Sequence, residues 1–158
     1  IGKFLDQEDS ILNGGTCRVG IESTIIDCTE ESPRVLRPGA ITVEMIQKIT
    51  FVNATSKYSG NNVKTSGLLE SHYSPKAKVL LNSVAVPGDG LLAMEGIPTP
   101  SGVIRLASPK NVEQFAKGLY QALRSGDQKG LKRIVVIPPI GGGIAEAVRD
   151  RLKKAAAG

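Results

Sequence analysis

The chain has 158 residues, of which 41% are hydrophobic and 22% are charged, and its formal net charge is +5. This is the composition of an ordinary globular protein with one domain, or with one domain and part of another, and no apolar run is long enough to span a membrane. The single histidine, His72, argues against a histidine-based zinc centre or a Ser-His-Asp triad. The positive charge gives weak support to acidic partners such as nucleotides or RNA.

The first third of the chain predicts two short strands and a helix. β-branched residues favour a strand over residues 20–28, an acidic turn over 30–33 and a second strand over 34–37. Thr42 is placed to cap a helix over residues 43–50 with an apolar stripe.

Two cysteines, Cys17 and Cys28, fall in this first third. Their spacing is neither that of a CxxC redox pair nor that of a zinc half-site. The pattern favours buried, reduced thiols in a cytosolic protein, and the sequence leaves a disulfide between them open.

Residues 53–74 have the composition of a linker, because they are rich in Ser, Asn, Gly and Thr and hold few packing residues. The segment GLLESHYSP near its end places apolar and aromatic residues beside a proline. We therefore expect the linker to dock on the rest of the protein.

The remaining residues predict a parallel α/β layer. Their pattern indicates strands at 78–81, 91–94, 103–106 and 133–137 and helices at 112–125 and 144–156. Asn111 and Gln114 form a potential capping box for the first of these helices. The stretch 83–102 is short and rich in Pro and Gly, which predicts a reduced sheet.

Arg37 is the most distinctive candidate for a functional residue. It ends a predicted strand and is followed by Pro38, which favours an extended backbone before it, and by Gly39, which permits a sharp exit. A guanidinium held on such a stiff support suits a phosphate group. A structural salt bridge to Glu30 or Glu31 is an equally good explanation from the chemistry alone.

Three other features leave a structural and a functional interpretation open. The hydroxyl of Ser23 can bind a carboxylate or satisfy a neighbouring strand. The segment PPIGGG lies between a strand and a helix, but it lacks the GxGxxG and P-loop spacings, so a tight turn is favoured over a phosphate cradle. The basic residues near the C-terminus are mixed with acidic ones, which is typical of a solvated helical face and less so of an RNA-binding surface.

The segments NGGTCRVGIESTIID, RVLRPGAIT and SGLLESHYSPKA, in this order, resemble the two-domain form of the threonylcarbamoyl-AMP synthase family. The likeness covers nearly the whole chain. It implies the tail end of a YrdC-like α/β catalytic domain over residues 1–52, an ordered linker over 53–76 and a small Rossmann-like parallel α/β domain over 77–158.

The resemblance implies a nucleotidyltransferase that makes threonylcarbamoyl-AMP and pyrophosphate from threonine, bicarbonate and ATP. Mg²⁺ would accompany the ATP without a recognisable protein site of its own. The product would pass to the machinery that forms threonylcarbamoyladenosine in tRNA, and the protein would be cytoplasmic, without membrane contact.

Three site residues follow from the same resemblance. Ser23 would contact threonine, Arg37 would contact ATP, and Tyr73 would contact the nucleotide as the linker folds over the site. The family's N-terminal motifs for ATP and threonine are not in this sequence, so we expect the isolated chain to be inactive. The alternative is a stand-alone nucleotide- or RNA-binding module.

Overall fold

The computed structural model describes residues 10, 12–15, 17–55 and 75–158. In these ranges the elements are β1 (Ile25–Asp27), β2 (Arg34–Arg37), α1 (Val43–Thr50), β3 (Lys78–Leu81), β4 (Gly90–Leu92), β5 (Ile104–Ala107), α2 (Val112–Gln128), β6 (Arg133–Val136) and α3 (Ile144–Ala156). The mixed α/β class expected from the sequence is confirmed.

The sheet of the C-terminal part has the order β3-β6-β4-β5, and its pairings are parallel. The central strand β6 is buried on both faces. Ile134 and Val136 belong to the main core that α2 and α3 cover, whereas Val135 lies in a smaller cluster on the opposite face. The continuous apolar run that predicted a fully covered strand is therefore explained by this position.

The first two connections of the sheet are short. Residues 82–89 and 93–103 contain no helix, in agreement with the reduced sheet expected from this Pro- and Gly-rich stretch. Arg105 on β5 holds the second of these loops, because its guanidinium donates to the carbonyls of Ala93, Met94 and Ile97, and also to that of Ala107, at 2.7–2.9 Å. Side-chain hydrogen bonds thus replace part of the packing that a crossover helix would supply.

The predicted helix starts are confirmed by their caps. Met45 donates its backbone N–H to Thr42 Oγ1 at 3.3 Å, and Gln114 donates its backbone N–H to Asn111 Oδ1 at 2.9 Å. α2 extends to Gln128, three residues beyond its expected end. Asp127 in its last turn accepts the backbone N–H groups of Lys76 and Ala77, which lead into β3.

A helix that spans a bilayer must be both long and apolar. Among the residues that the structure describes, no helix meets both requirements.

The first part of the chain forms a two-stranded antiparallel sheet beside α1. β1 begins at Ile25, so the strand predicted over 20–28 is shorter than expected. Gly20 has φ +83°, and a Cβ on it would overlap the Cα of Lys117 in α2. Residues 20–22 therefore lie against α2 and α3 instead of extending the strand.

The start of the predicted linker docks on β2. Thr55 accepts the backbone N–H of Val35 at 2.9 Å and donates its own to Pro33, and Ala54 is buried. Residues 56–74 lie outside the described residues, so the docking of the rest of the linker stays a prediction.

The expectation of buried thiols is wrong. Cys17 and Cys28 are both exposed, and no disulfide joins them. Cys28 directly follows Asp27, the last residue of β1, and therefore lies outside the paired strand.

Candidate functional site

A cavity of about 490 Å³ opens beside β1 and β2. It is lined by residues 17–24 and by Ala40 and Ile41. The lining includes the GIEST segment, residues 20–24, and the turn that follows β2. Both belong to the sequence motifs that carry the family resemblance. The cavity is therefore where their chemistry would act.

Ser23 and Arg37, both predicted to be site residues, contact each other, and of the two it is Ser23 that lines the cavity. Arg37 ends β2 and is only 8% exposed. Its Nε donates to the Ser23 carbonyl at 3.0 Å, and its Nη2 donates to Ser23 Oγ at 3.2 Å. The guanidinium thus fixes both the backbone and the hydroxyl of Ser23, and a permanent positive charge lies next to that hydroxyl.

The turn after Arg37 is tied to the same segment. Thr24 Oγ1 donates to the Ile41 carbonyl at 2.8 Å and accepts the Ile41 N–H at 3.1 Å. A Cβ at Gly39 would overlap the backbone nitrogen of Thr24, so the close approach of the two segments requires a glycine there. The Arg-Pro-Gly sequence is explained by this approach.

The salt bridge considered for Arg37 is formed by a neighbour on the same strand. Arg34 Nη2 lies 3.0 Å from Glu30 Oε1 and 2.7 Å from Asp27 Oδ2. The Thr29 hydroxyl and backbone N–H, together with Arg34, lower the pKa of Asp27 to about 2. The acidic turn therefore has a structural partner in Arg34, while Arg37 donates to Ser23.

Tyr73, the third predicted site residue, lies outside the described residues, as does the adjacent His72. The structure thus brings together two of the three residues, and the role of Tyr73 stays a prediction.

Glu22, which the sequence did not single out, links the site to α2 and α3 by hydrogen bonds. It accepts hydrogen bonds of 2.7 Å from the Tyr120 hydroxyl and from Arg151 Nε. Burial would raise the pKa of Glu22, but the bonds from Arg151 and Tyr120 outweigh it and leave the pKa lowered. A signal was available: Arg151 lies on the apolar face of α3 beside Val148 and Leu152, where a charge needs a partner.

The Gly-rich loop borders a second cavity of about 390 Å³. Arg149 occupies its rim and donates to the carbonyls of Pro139 and Gly141 at 2.8 and 2.7 Å. These bonds hold the loop as a tight turn, which is the interpretation that the sequence favoured.

The basic residues of α3 are largely engaged within the protein. Arg151 is buried against Glu22 and Asp150, and Lys154 Nζ lies 2.8 Å from Asp150 Oδ2. This arrangement gives an RNA-binding surface little support.

Comparison with known proteins gives one consistent family. The model of the family described as "Threonylcarbamoyl-AMP synthase, C-terminal domain" matches residues 41–157. The threonylcarbamoyl-AMP synthase of Pyrococcus abyssi (strain GE5 / Orsay) is 33% identical over an alignment of 173 residues. The alignment covers 96% of this chain and 50% of that protein. The Bacillus subtilis (strain 168) protein of the same name is 30% identical over an alignment of 168 residues, which covers 94% of this chain and 49% of that protein. The chain therefore spans about half the length of the curated relatives it matches.

Solved structures agree. The crystal structure of P. abyssi Sua5 complexed with L-threonine superposes with a TM-score of 0.74 and 29% identity, covering 90% of this chain and 48% of that one. The structure of a doubly substituted P. abyssi Sua5 gives a TM-score of 0.67 and 28% identity, and the match covers 90% of this chain and 47% of that one.

Proposed function

The chain belongs to the family of the threonylcarbamoyl-AMP synthase C-terminal domain, and we propose that it is the C-terminal part of a threonylcarbamoyl-AMP synthase. The proposed reaction joins threonine, bicarbonate and ATP to threonylcarbamoyl-AMP and releases pyrophosphate and water. It is a cytoplasmic nucleotidyl transfer whose product serves the threonylcarbamoyladenosine modification of tRNA. The observation that carries the proposal is the contact of Ser23 with Arg37 beside the cavity.

In the proposed site, Ser23 binds threonine and Arg37 binds ATP. The two side chains are 3.2 Å apart, so a carboxylate at the serine hydroxyl and a phosphate at the guanidinium would be held next to each other. In nucleotidyl transfer the threonine carbamate attacks the α-phosphate and pyrophosphate leaves. Such a step depends on positioning and on stabilisation of the developing charge, which a fixed guanidinium supplies.

Tyr73 completes the proposed site as a contact to the nucleotide. Mg²⁺ enters as the ion that accompanies ATP. Among the described residues no group of three His, Cys, Asp or Glu side chains could hold a metal ion, so the residues here do not form a resident metal site.

We propose further that residues 1–52 are the end of the catalytic domain, that 53–76 are the linker and that 77–158 are the C-terminal domain. Large apolar side chains on the first part support this division, because Ile41, Met45, Ile49 and Phe51 are all exposed. A patch of this kind is typical of a surface that another part of a protein covers. The 158-residue chain alone is then inactive, and pyrophosphate release from it with ATP, threonine and bicarbonate would contradict this division.

The decisive test is Arg37→Ala in the full-length protein. We expect kcat/KM for ATP to fall about a hundredfold or more, because a buried charge-assisted contact to phosphate is lost. Arg34→Ala is the matched control, since it removes an arginine from the same strand that bonds to Asp27 and Glu30. Arg37→Lys keeps the charge without the planar fork and should fall between the two.

Either of two results would overturn the proposal. One is a wild-type protein that forms no adenylate from the three substrates. The other is an Arg37→Ala variant that folds and uses ATP as well as the Arg34→Ala control.

A further inference from the structure

A carboxylate links the site segment to the C-terminal domain. Glu22 immediately precedes Ser23, and both of its carboxylate oxygens are taken by residues about a hundred positions later in the chain. The Tyr120 hydroxyl of α2 donates to Oε1 and Arg151 Nε of α3 donates to Oε2, each at 2.7 Å. Such short, charge-assisted bonds fix the direction of the carboxylate as well as its position.

The contact between Glu22 and Arg151 is largely shielded from solvent. Arg151 is 5% exposed and also donates to Asp150 at 2.7 Å. Because a buried arginine without its carboxylate is costly, the pair strongly favours the docked arrangement of the Glu22 segment.

The two residues before Glu22 support the same docking. Gly20 approaches α2 so closely that a Cβ would overlap the Cα of Lys117. Ile21 packs against the main core, whose buried members include Phe115 and Leu119. The GIE segment is therefore seated on the C-terminal domain by a close backbone approach, an apolar contact and an ion pair.

Ser23 is consequently held from two directions. On one side Arg37 bonds to its carbonyl and hydroxyl. On the other side its neighbour Glu22 is fixed to α2 and α3. We propose that Glu22 is a positioning residue, through which Tyr120 and Arg151 of the C-terminal domain set the place of Ser23 in the threonine site. This inference rests on the proposed function, and it gives the C-terminal domain a direct part in threonine binding.

The alternative is that the contact only stabilises the fold. The core of the C-terminal domain, however, is built from the apolar residues of α2, α3 and the sheet, and Glu22 is not one of them. Replacing Glu22 by the isosteric glutamine should therefore leave that core intact. It would remove one of the two carboxylate charges that pair with Arg151, the other being that of Asp150, and change the direction of one hydrogen bond.

The test compares steady-state constants of the full-length protein and of three variants. For Glu22→Gln we expect KM for threonine to rise about tenfold, because a charge-assisted bond that orients the binding segment is lost. KM for ATP should stay within about twofold. Tyr120→Phe, which removes a neutral donor, should raise KM for threonine by about threefold.

Asp89→Asn is the matched control. Asp89 is a buried carboxylate that lies 3.3 Å from Arg133 Nε and accepts the backbone N–H of Val86, both outside the Glu22 segment. The substitution should lower the midpoint of thermal unfolding as Glu22→Gln does, without changing KM for threonine.

The outcomes separate the two proposals. If the wild-type protein forms the adenylate but Glu22→Gln lowers only the unfolding midpoint, the positioning role is wrong and the proposed function stands. A rise in both KM values by the same factor would also contradict the positioning role. If the wild-type protein neither turns over nor binds threonine in calorimetry, both proposals fall.

Discussion

The two parts of the chain differ in how they bury apolar surface. Residues 75–158 contain the eight largest fully buried side chains in the part of the chain that the structure describes, namely Phe115, Leu92, Leu119, Ile134, Leu152, Val135, Val136 and Val148. In residues 17–55 the buried cluster consists of Val35, Ile46 and Ala54. The first part therefore depends on contacts beyond its own small cluster, while the second carries a core of its own.

The difference bears on function, because the candidate site lies in the part with the smaller core. Ser23 and Arg37 occupy the two-stranded sheet and its flank, and the Glu22 contact joins that flank to the larger core. A site that needs fixed geometry is thus supported by the domain that can supply it.

Phe115→Ala should give the largest effect and tests whether the second core carries the stability. Phe115 is fully buried between α2 and the sheet, so its truncation should lower the free energy of unfolding by about 3–5 kcal/mol. Denaturant unfolding of the 158-residue chain measures the change.

Phe51→Ala is the matched control, because it makes the same substitution at a side chain that is 92% exposed at the end of α1. We expect a change within about 0.5 kcal/mol. Equal losses in the two variants would refute the contrast between the two parts.

The elements that the sequence predicted well are those with local signals. The bounds of α1 and α3 agree with the pattern, since a capping threonine marks the first and an apolar stripe marks both. The strand expected over 20–28 was shorter, because residues 20–22 are held against α2 and α3. Only contacts between distant parts of the chain decide this, and no local pattern records them.

In the candidate site too, contacts between distant residues could not be predicted from the sequence. Ser23 and Arg37 could be proposed from strand ends, turn residues and a family resemblance, and they are in contact. The Glu22–Arg151 pair spans 129 positions, so neither residue indicates the other in the sequence. The apolar stripe of α3 shows that Arg151 is buried, but its partner has to be found in three dimensions.

Asp27→Asn should have a smaller effect, confined to the first part and dependent on pH. The pKa of Asp27 is lowered from 3.8 to about 2 by Thr29 and Arg34, so its contribution to stability is fully present above pH 3.8. It is lost as the pH falls through about 2. The wild-type advantage over Asp27→Asn should therefore shrink between about pH 4 and 2.

Hydrogen exchange of the β1 and β2 amides across this range measures that advantage, with β6 amides as the internal reference. Glu31→Gln is the control, because Glu31 is an exposed carboxylate in the same turn. A protection difference that stays constant from pH 5 to 2 would show that the charge of Asp27 is not what matters.

Ile49→Ser should have the smallest effect on the chain itself and is the sharpest test of the exposed face. Ile49 is 78% exposed on α1, so the free energy of unfolding of the 158-residue chain should change by no more than about 0.5 kcal/mol. Ile46→Ser, on the same helix but buried beside Val35, should cost about 2 kcal/mol or more.

The comparison is then repeated in the full-length protein. If the rest of the catalytic domain covers α1, Ile49→Ser should there become destabilising by about 1–3 kcal/mol, because a buried hydroxyl replaces apolar contact. The gap between the short and long chains is the quantity that matters, since it measures how much of the first part's stability comes from outside it. An Ile49→Ser effect that is equally small in both chains would mean that this face of α1 stays in water, and the domain division proposed for residues 1–52 would lose its main support.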